Sequence, residues 1–423
     1  MRFKILLLFL LTSIFCFSQL RDRDIHKTEI IKTKDGFQLL RNGNPYYIKG
    51  GGGDSHLSLL KSIGGNSIRT WGTENAQEVL DEAFSNGISV CLGLWVGHER
   101  HGFDYNDEYA ITAQLESFKN EILRYKDHPA LLMWAVGNEV DLFYTNFRVW
   151  NAVEDIAKMI KELDPNHPTM TVTAGIDPAE VFMIKTYCPS IDILGINTYG
   201  GIKSLSQEVR MYGWQKPYMV TEWGPYGHWE SPTTKWGVAV EATSKEKADF
   251  RNTAYNSIAK DVDLCLGSYA FLWGYKQEQT PTWYGIFTSD GNATQSIDIL
   301  NKHWGNSDRN KAPIIHSFLL NDKDKEESVK IKRGKHCVFT YEVADPDNDS
   351  LTYDYVLMPE STDKKSGGDF EKTPELISFK IIEHIENKLV IKAPQRSGAY
   401  RFFIYIRDGY QNVATANIPF YVR

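Results

Sequence analysis

From about residue 37 the chain alternates short apolar runs with longer stretches in which apolar residues recur every three or four positions. The short runs are Tyr46-Tyr47-Ile48-Lys49, Ser67-Ile68-Arg69-Thr70, and residues 89–95, 131–136, 169–173, 191–197, 218–222 and 267–273. Continuous apolar runs of this length predict strands buried on both faces. The intervening stretches predict amphipathic helices. Val79, Leu80, Ala83 and Phe84 form one apolar face, and Leu115, Phe118, Ile122 and Leu123 a second. Trp150, Val153, Ile156, Met159, Ile160 and Leu163 form a third, stopped by Pro165. Asn75 with Glu78 fits a capping box, and Asn86-Gly87 fits a helix end. Eight strand–helix units in roughly 260 residues predict a (β/α)8 barrel, with a doubly wound open sheet as the alternative.

The texture changes after Trp304. Residues 305–312 are polar and read as a linker, and beyond Pro313 the helical period disappears. Alternating runs at 337–343, 351–357, 388–391, 400–406 and 414–422 replace it, separated by turn-rich segments. About a hundred residues of this kind predict an immunoglobulin-like β-sandwich. The expected organisation is a leader over 1–18, a barrel over 25–304, a linker over 305–312 and a sandwich over 313–423. The sandwich is expected to carry no chemistry.

The leader is two early positive charges followed by an apolar stretch from Ile5 to Phe17, as in a secretory signal peptide. It is too short for a comfortable membrane span, and no later stretch is apolar enough for one. Export to the periplasm, cell surface or medium is therefore expected. A lipid anchor at Cys16 is the competing reading, and the bulky Phe15 before it speaks against that. Cys91, Cys188, Cys265 and Cys337 are scattered with no CxxC pair, which predicts buried free thiols rather than a disulfide framework. A net charge of −7 argues against nucleic acid as a partner. Eleven Trp and 22 Tyr suit sugar stacking, although ordinary cores use them too. Nothing in the sequence fixes an oligomeric state.

In a (β/α)8 barrel the reactive groups project from the C-terminal strand ends. The fourth run ends Trp134-Ala135-Val136-Gly137-Asn138-Glu139, and the seventh ends Thr221-Glu222-Trp223-Gly224. Two carboxylates thus end two strands on one rim. These strings resemble the signature of clan A glycoside hydrolases, in particular the barrel domain of glycoside hydrolase family two. The pairing of such a barrel with an immunoglobulin-like tail is also similar to bacterial β-1,3-glucanases. The resemblance covers residues 37 to 304. It implies that Glu139 is the acid/base and Glu222 the nucleophile of a retaining hydrolase acting on β-linked glycans. It further implies a preference for β-glucan with β-1,3 linkages, and no metal or cofactor.

The resemblance also gives Arg69 the task of holding the nucleophile ionised, Asn138 a bond to the sugar 2-hydroxyl, and Tyr199 a bond that steadies Glu222. Trp273 would floor the subsite of the reacting ring. Asn197 and Trp223 stand beside these as substrate-binding candidates, and His98 could bind a sugar hydroxyl or be merely structural. Trp95, Trp229, Trp236 and Trp283 could stack on further rings, with loop packing the ordinary alternative for at least some. Gly50 to Gly53 lack the Lys-Ser/Thr of a phosphate loop, so close backbone approach at the rim is the better reading. Asp345, Asp347 and Asp349 lack the rest of a calcium loop and predict a hairpin turn. Mannan- or galactan-active enzymes, transglycosylation, and a non-catalytic carbohydrate-binding protein remain open alternatives.

Overall fold

The computed structural model describes residues 26–305 and 307–423; the expected leader over 1–18, with Cys16, lies outside them. β1 (Thr28–Thr33), β2 (Gly36–Arg41) and β3 (Asn44–Pro45) form a three-stranded antiparallel sheet that the sequence reading did not foresee. It caps the barrel floor. The Thr28 N–H donates to the Asn166 carbonyl at 2.9 Å, and the Phe37 N–H to the Asp263 carbonyl at 2.8 Å, both just ahead of barrel strands. Buried Leu39 packs with Ile48, Met133, Met170 and Met219 inside the barrel's lower end.

β4 (Ile48–Gly52), β5 (Ser67–Arg69), β6 (Ser89–Leu94), β7 (Leu131–Val136), β8 (Thr169–Ala174), β9 (Ile193–Asn197), β10 (Tyr218–Trp223) and β11 (Cys265–Ala270) close into a parallel eight-stranded barrel. All eight predicted runs meet these strands, but two C-terminal ends moved by three residues. The first strand includes Gly50 to Gly52 rather than stopping before them. A Cβ on Gly51 would sit 2.6 Å from the Trp273 ring, so the strand itself must be bare where the neighbouring chain packs. The eighth strand ends at Ala270, three residues short of Trp273.

The helices are α1 (Leu57–Ser62), α2 (Ala76–Ser85), α3 (Glu108–Tyr125), α4 (Arg148–Leu163), α5 (Pro178–Tyr187), α6 (Leu205–Met211), α7 (Ser244–Ile258) and α8 (Ser296–Trp304). Val79, Leu80 and Ala83 of α2 are buried, whereas Phe84 and, on α3, Leu123 are exposed at the margin of their faces. Asn75 precedes α2 in a left-handed conformation without a side-chain cap. The capping box stands instead at the head of α7, from Thr243 and Glu246. Cys91, Cys188, Cys265 and Cys337 are free and buried. Among the described residues no helix is long and apolar enough to cross a membrane.

The C-terminal part is a sandwich of two four-stranded sheets. β12 (Ile314–Leu320), β14 (His336–Ala344), β17 (Lys388–Lys392) and β16 (Ile381–Ile385) make one; β13 (Lys330–Ile331), β19 (Val413–Val422), β18 (Gly398–Arg407) and β15 (Thr352–Pro359) make the other. Phe339 and Phe402 stack between the sheets with centroids 4.0 Å apart. The Asp345 carboxylate accepts the N–H groups of Asp347 and Asp349, both at 2.9 Å, which makes this string a turn.

The sandwich is bolted to the barrel. Buried Glu241 accepts from Lys247 at 2.5 Å, Thr282 at 2.8 Å and Asn417 of β19 at 2.7 Å. Arg401 of β18 donates to the Ala239 carbonyl at 2.7 Å. Ala293 exchanges backbone bonds with Gln411 and Val413 at 2.8 and 2.9 Å.

Candidate active site

At the C-terminal mouth of the barrel lies a cavity of about 790 Å³ lined by Trp71, Asn138, Glu139, Asn197, Tyr199 and Glu222, among others. The strands aim these groups. Arg69 ends β5, Asn138 and Glu139 follow β7, Asn197 ends β9 and Glu222 lies near the end of β10. Two glutamates more than eighty positions apart therefore face one hollow.

Their surroundings differ. Glu222 is 5% exposed. Its Oε1 accepts from Arg69 Nη1 at 3.0 Å and Trp71 Nε1 at 2.8 Å, and its Oε2 from the Tyr199 hydroxyl at 3.0 Å. Three donors, one of them cationic, orient a carboxylate. Burial and the nearby negative charge hold the Tyr199 hydroxyl well above its ordinary pKa, so it stays a donor. Glu139 accepts from Asn197 Nδ2 at 2.8 Å. Burial first, and then the charge of Glu222, push its carboxyl up to about 7. One cavity thus holds a carboxylate bound by three donors beside a carboxyl driven towards its protonated form, the pattern that separates a nucleophile from an acid. The Glu139 backbone is left-handed, with φ 51°, following Gly137 at φ 78°. Its N–H is tied to the Val172 carbonyl at 2.9 Å, which fixes this uncommon conformation.

Asn138 connects the pair. Its Oδ1 accepts from Arg69 Nη2 at 2.6 Å and from Asn197 Nδ2 at 3.2 Å. Glu139, Asn197, Asn138, Arg69 and Glu222 therefore form one continuous network. His98 supports it from behind: buried, it donates from Nε2 to the Asn138 carbonyl at 2.6 Å. Burial lowers its pKa to about 4, so the ring is neutral. It does not line the cavity, which makes it a positioning residue instead of the hydroxyl ligand considered from sequence.

Two tryptophans expected at the substrate lie elsewhere. Trp223 is fully buried under Arg251 and against Tyr255. Successive strand residues point to opposite faces, so with Glu222 turned inward Trp223 turns outward. Trp273 is also fully buried, bonded to the Ser55 carbonyl at 2.7 Å and packed on Phe287. Because β11 ends at Ala270, Phe271 and Leu272 line the cavity in its place. Trp95 and Trp229 line it with 40% and 62% of their surface exposed. Trp236 packs on Tyr421 of the sandwich, and Trp283 is bonded to the Tyr226 carbonyl.

Trp71 was missed, although it stands two positions beyond Arg69 on the same strand end and a ring there was a readable signal. Ser366, Gly367 and Gly368 were also missed, and these sandwich residues form part of the wall. The sandwich, expected to carry no chemistry, thus contributes to the walls of the cavity.

A closed parallel barrel with these groups on its fourth and seventh strands is similar to the barrels of the clan A glycoside hydrolases. Residues 55–231 match the family model for the TIM barrel domain of glycosyl hydrolases family 2. Among curated relatives, the chain is 23% identical over 320 residues to a β-glucuronidase of Paenibacillus borealis, which spans 64% of this chain and 51% of that one. It is 25% identical over 181 residues to the β-glucuronidase of Homo sapiens, covering 38% of this chain and 26% of that one. The chain thus spans about half or less of the length of these relatives. In fold it is similar to the β-D-glucuronidase of Dictyoglomus thermophilum, at a TM-score of 0.52 and 19% identity over 66% of this chain and 54% of the other. It is also similar to a Bifidobacterium dentium β-glucuronidase complexed with coumarin-3-O-glucuronide, at a TM-score of 0.53 and 21% identity over 66% and 49% of the two chains. The β-1,3-glucan preference expected from sequence finds no support in these relatives, whose names point to β-glucuronides.

Proposed function

We propose that this protein is a retaining glycoside hydrolase in which Glu139 is the acid/base and Glu222 the nucleophile. The observation that carries the reading is the pair itself: two carboxyl groups on one cavity, one bound by three donors and the other driven towards its protonated form. In the first step Glu222 attacks the anomeric carbon while Glu139 passes its proton to the departing oxygen. The bond to the aglycone breaks as the glycosyl–Glu222 ester forms. Esterification removes the negative charge that raised Glu139, so its carboxylate form becomes accessible. Glu139 then takes a proton from water, whose oxygen bonds to the anomeric carbon and frees Glu222. A sugar hydroxyl in place of that water gives transglycosylation by the same groups.

The cavity lining favours an uncharged sugar ring. It carries Glu139, Glu208, Glu222, Glu230 and Glu278 against one lysine, Lys276, which is already paired with Glu278 at 2.8 Å. A carboxylate on the substrate would enter this acidic field with little to balance it. The second reading, a β-glucuronide, is favoured by the relatives' names, and Lys276 is the residue it would need. Export rests on the leader alone.

Turnover of 4-nitrophenyl β-glucoside, β-mannoside, β-galactoside and β-glucuronide by purified protein tests both points. Hydrolysis with retained anomeric configuration of a neutral glycoside supports the reading. A rate on the glucuronide alone reverses the sugar assignment, and inverted product removes Glu222 as nucleophile.

A further inference from the structure

The segment 360–380 joins β15 to β16 across the top of the sandwich without forming regular structure. Its far end returns to the sandwich, where the Ile377 N–H donates to the Leu357 carbonyl at 2.8 Å and Phe379 packs on Phe402, but its middle reaches the catalytic mouth and is fastened there. The Asp369 carboxylate accepts from Arg100 Nη1 at 2.9 Å and from His101 Nε2 at 3.1 Å. Arg100 also donates to the Ser366 carbonyl at 3.1 Å, and Lys276 donates to the Gly368 carbonyl at 2.5 Å. Buried Glu371 accepts the Gln279 N–H at 2.7 Å and the Lys365 N–H at 2.9 Å. These bonds tie the loop to the segments that follow β6 and β11, so it spans one side of the mouth.

Gly367 and Gly368 have φ of 64° and 72°. A Cβ on Gly367 would lie 2.6 Å from the Leu142 side chain and 2.8 Å from Arg100. The sequence thus spends two consecutive glycines on bringing backbone flush against the barrel rim, a cost that a mere spacer has no reason to carry. The cavity so enclosed, at about 790 Å³, is in the upper part of the range for small-ligand sites. One pyranose between Glu139 and Glu222 leaves much of it free. The free part is edged by Trp95 and Phe143, which are 40% and 65% exposed. Exposed aromatic faces lining one cavity suit the C–H faces of further sugar rings.

We propose that the sandwich loop 361–380 is a substrate-binding element, which forms with Trp95 and Phe143 a subsite for rings beyond the reacting one and so selects chain-like β-linked oligosaccharides over single glycosides. This rests on the hydrolase reading above and adds to it where the selectivity resides.

The test compares a β-linked pentasaccharide with the 4-nitrophenyl β-glycoside of the same sugar, the sugar being the one preferred in the panel above. Asp369→Ala removes the carboxylate that Arg100 and His101 hold, and Ser366→Trp crowds the wall while leaving that carboxylate in place. Each variant is first checked for an unchanged melting transition. The ratio of kcat/KM on the pentasaccharide to that on the aryl glycoside is expected to fall at least ten-fold in both, chiefly through KM on the pentasaccharide. A ratio within two-fold of the parent in either folded variant overturns the proposal. So does a loss in kcat alone, which would assign the loop to the chemistry or to general stability. Absence of turnover by the parent on every glycoside is a different pattern, and it would remove the hydrolase reading together with this one.

Discussion

Trp71 Nε1 donates to Glu222 Oε1 at 2.8 Å, to the same oxygen that Arg69 Nη1 reaches at 3.0 Å. The guanidinium carbon also lies 5.3 Å from the indole centroid. The two donors are therefore packed on each other, and each limits the freedom of the other. With Oε1 so restrained and Oε2 held by Tyr199, the carboxylate has one orientation to offer the anomeric carbon.

Trp71→Phe keeps the ring and removes the N–H. A hydrogen bond to a charged group contributes about 1.5–3 kcal/mol. If that stabilisation is realised in the transition state, kcat/KM on an aryl glycoside should fall roughly 10- to 150-fold. An unchanged rate would leave the indole a packing role only. A faster rate would mean that the bond tames the nucleophile more than it aligns it.

Glu222→Gln should lose several orders of magnitude in turnover while oligosaccharide binding, read by calorimetry, survives. Glu139→Ala should depend on the leaving group. Aglycones that leave as poorly stabilised alkoxides need a proton and should lose about 10²–10⁴-fold. The dinitrophenolate leaving group needs none and should suffer far less in the first step. Equal losses across a series of aryl glycosides would give Glu139 some other task.

The raised affinity of Glu139 for its proton sets a pH dependence. Its carboxyl titrates near 7 because of burial and the charge of Glu222, so kcat/KM should decline as pH rises through about 7. The sign for stability follows from linkage. The folded-state value lies above the ordinary 4.5, so the protonated form is favoured by folding. The resulting stabilisation is complete below about 4.5 and is lost as pH rises through about 7. Glu139→Gln, neutral at every pH, should therefore raise the melting temperature more at pH 8 than at pH 4.5. A larger gain at the acid end would contradict the assignment.

How much of this was readable in advance differs by level. The eight strands were visible because both faces of each are buried, which leaves unbroken apolar runs such as 131–136. Glu139 and Glu222 were visible because strand ends are where a barrel places its chemistry. The details that escaped depend on neighbours distant in sequence. Trp273 reads as a strand-end platform until the end of β11 at Ala270 is known, and Gly51, pressed against its ring, gives no hint of that contact. Trp223 could have been excluded by alternation with Glu222 alone. The wall at Ser366 to Gly368 had no local signal, since a glycine pair in a turn-rich stretch reads as a hairpin until another domain is brought against it.

Glu241 offers a test of how firmly the two parts are joined. It is buried with Lys247 at 2.5 Å, while Asn417 of the sandwich donates to its second oxygen at 2.7 Å. Removing one partner from a buried ion pair costs about 3–5 kcal/mol, because the other charge is left without compensation. Glu241→Gln should therefore destabilise the protein by that order, measured by urea unfolding. Glu241→Gln combined with Lys247→Met removes both charges and should recover much of the loss, since paired replacement by groups of similar volume is often neutral. If the junction is continuous, as the bonds from Arg401 to Ala239 and from Val413 to Ala293 imply, barrel and sandwich should also unfold in one transition in both variants. A single variant that loses less than about 1 kcal/mol would mean that the pair is screened and contributes little. Two separated transitions in the parent would mean that the domains are merely adjacent, and the wall that the sandwich lends to the cleft would then be held by the loop's own tethers.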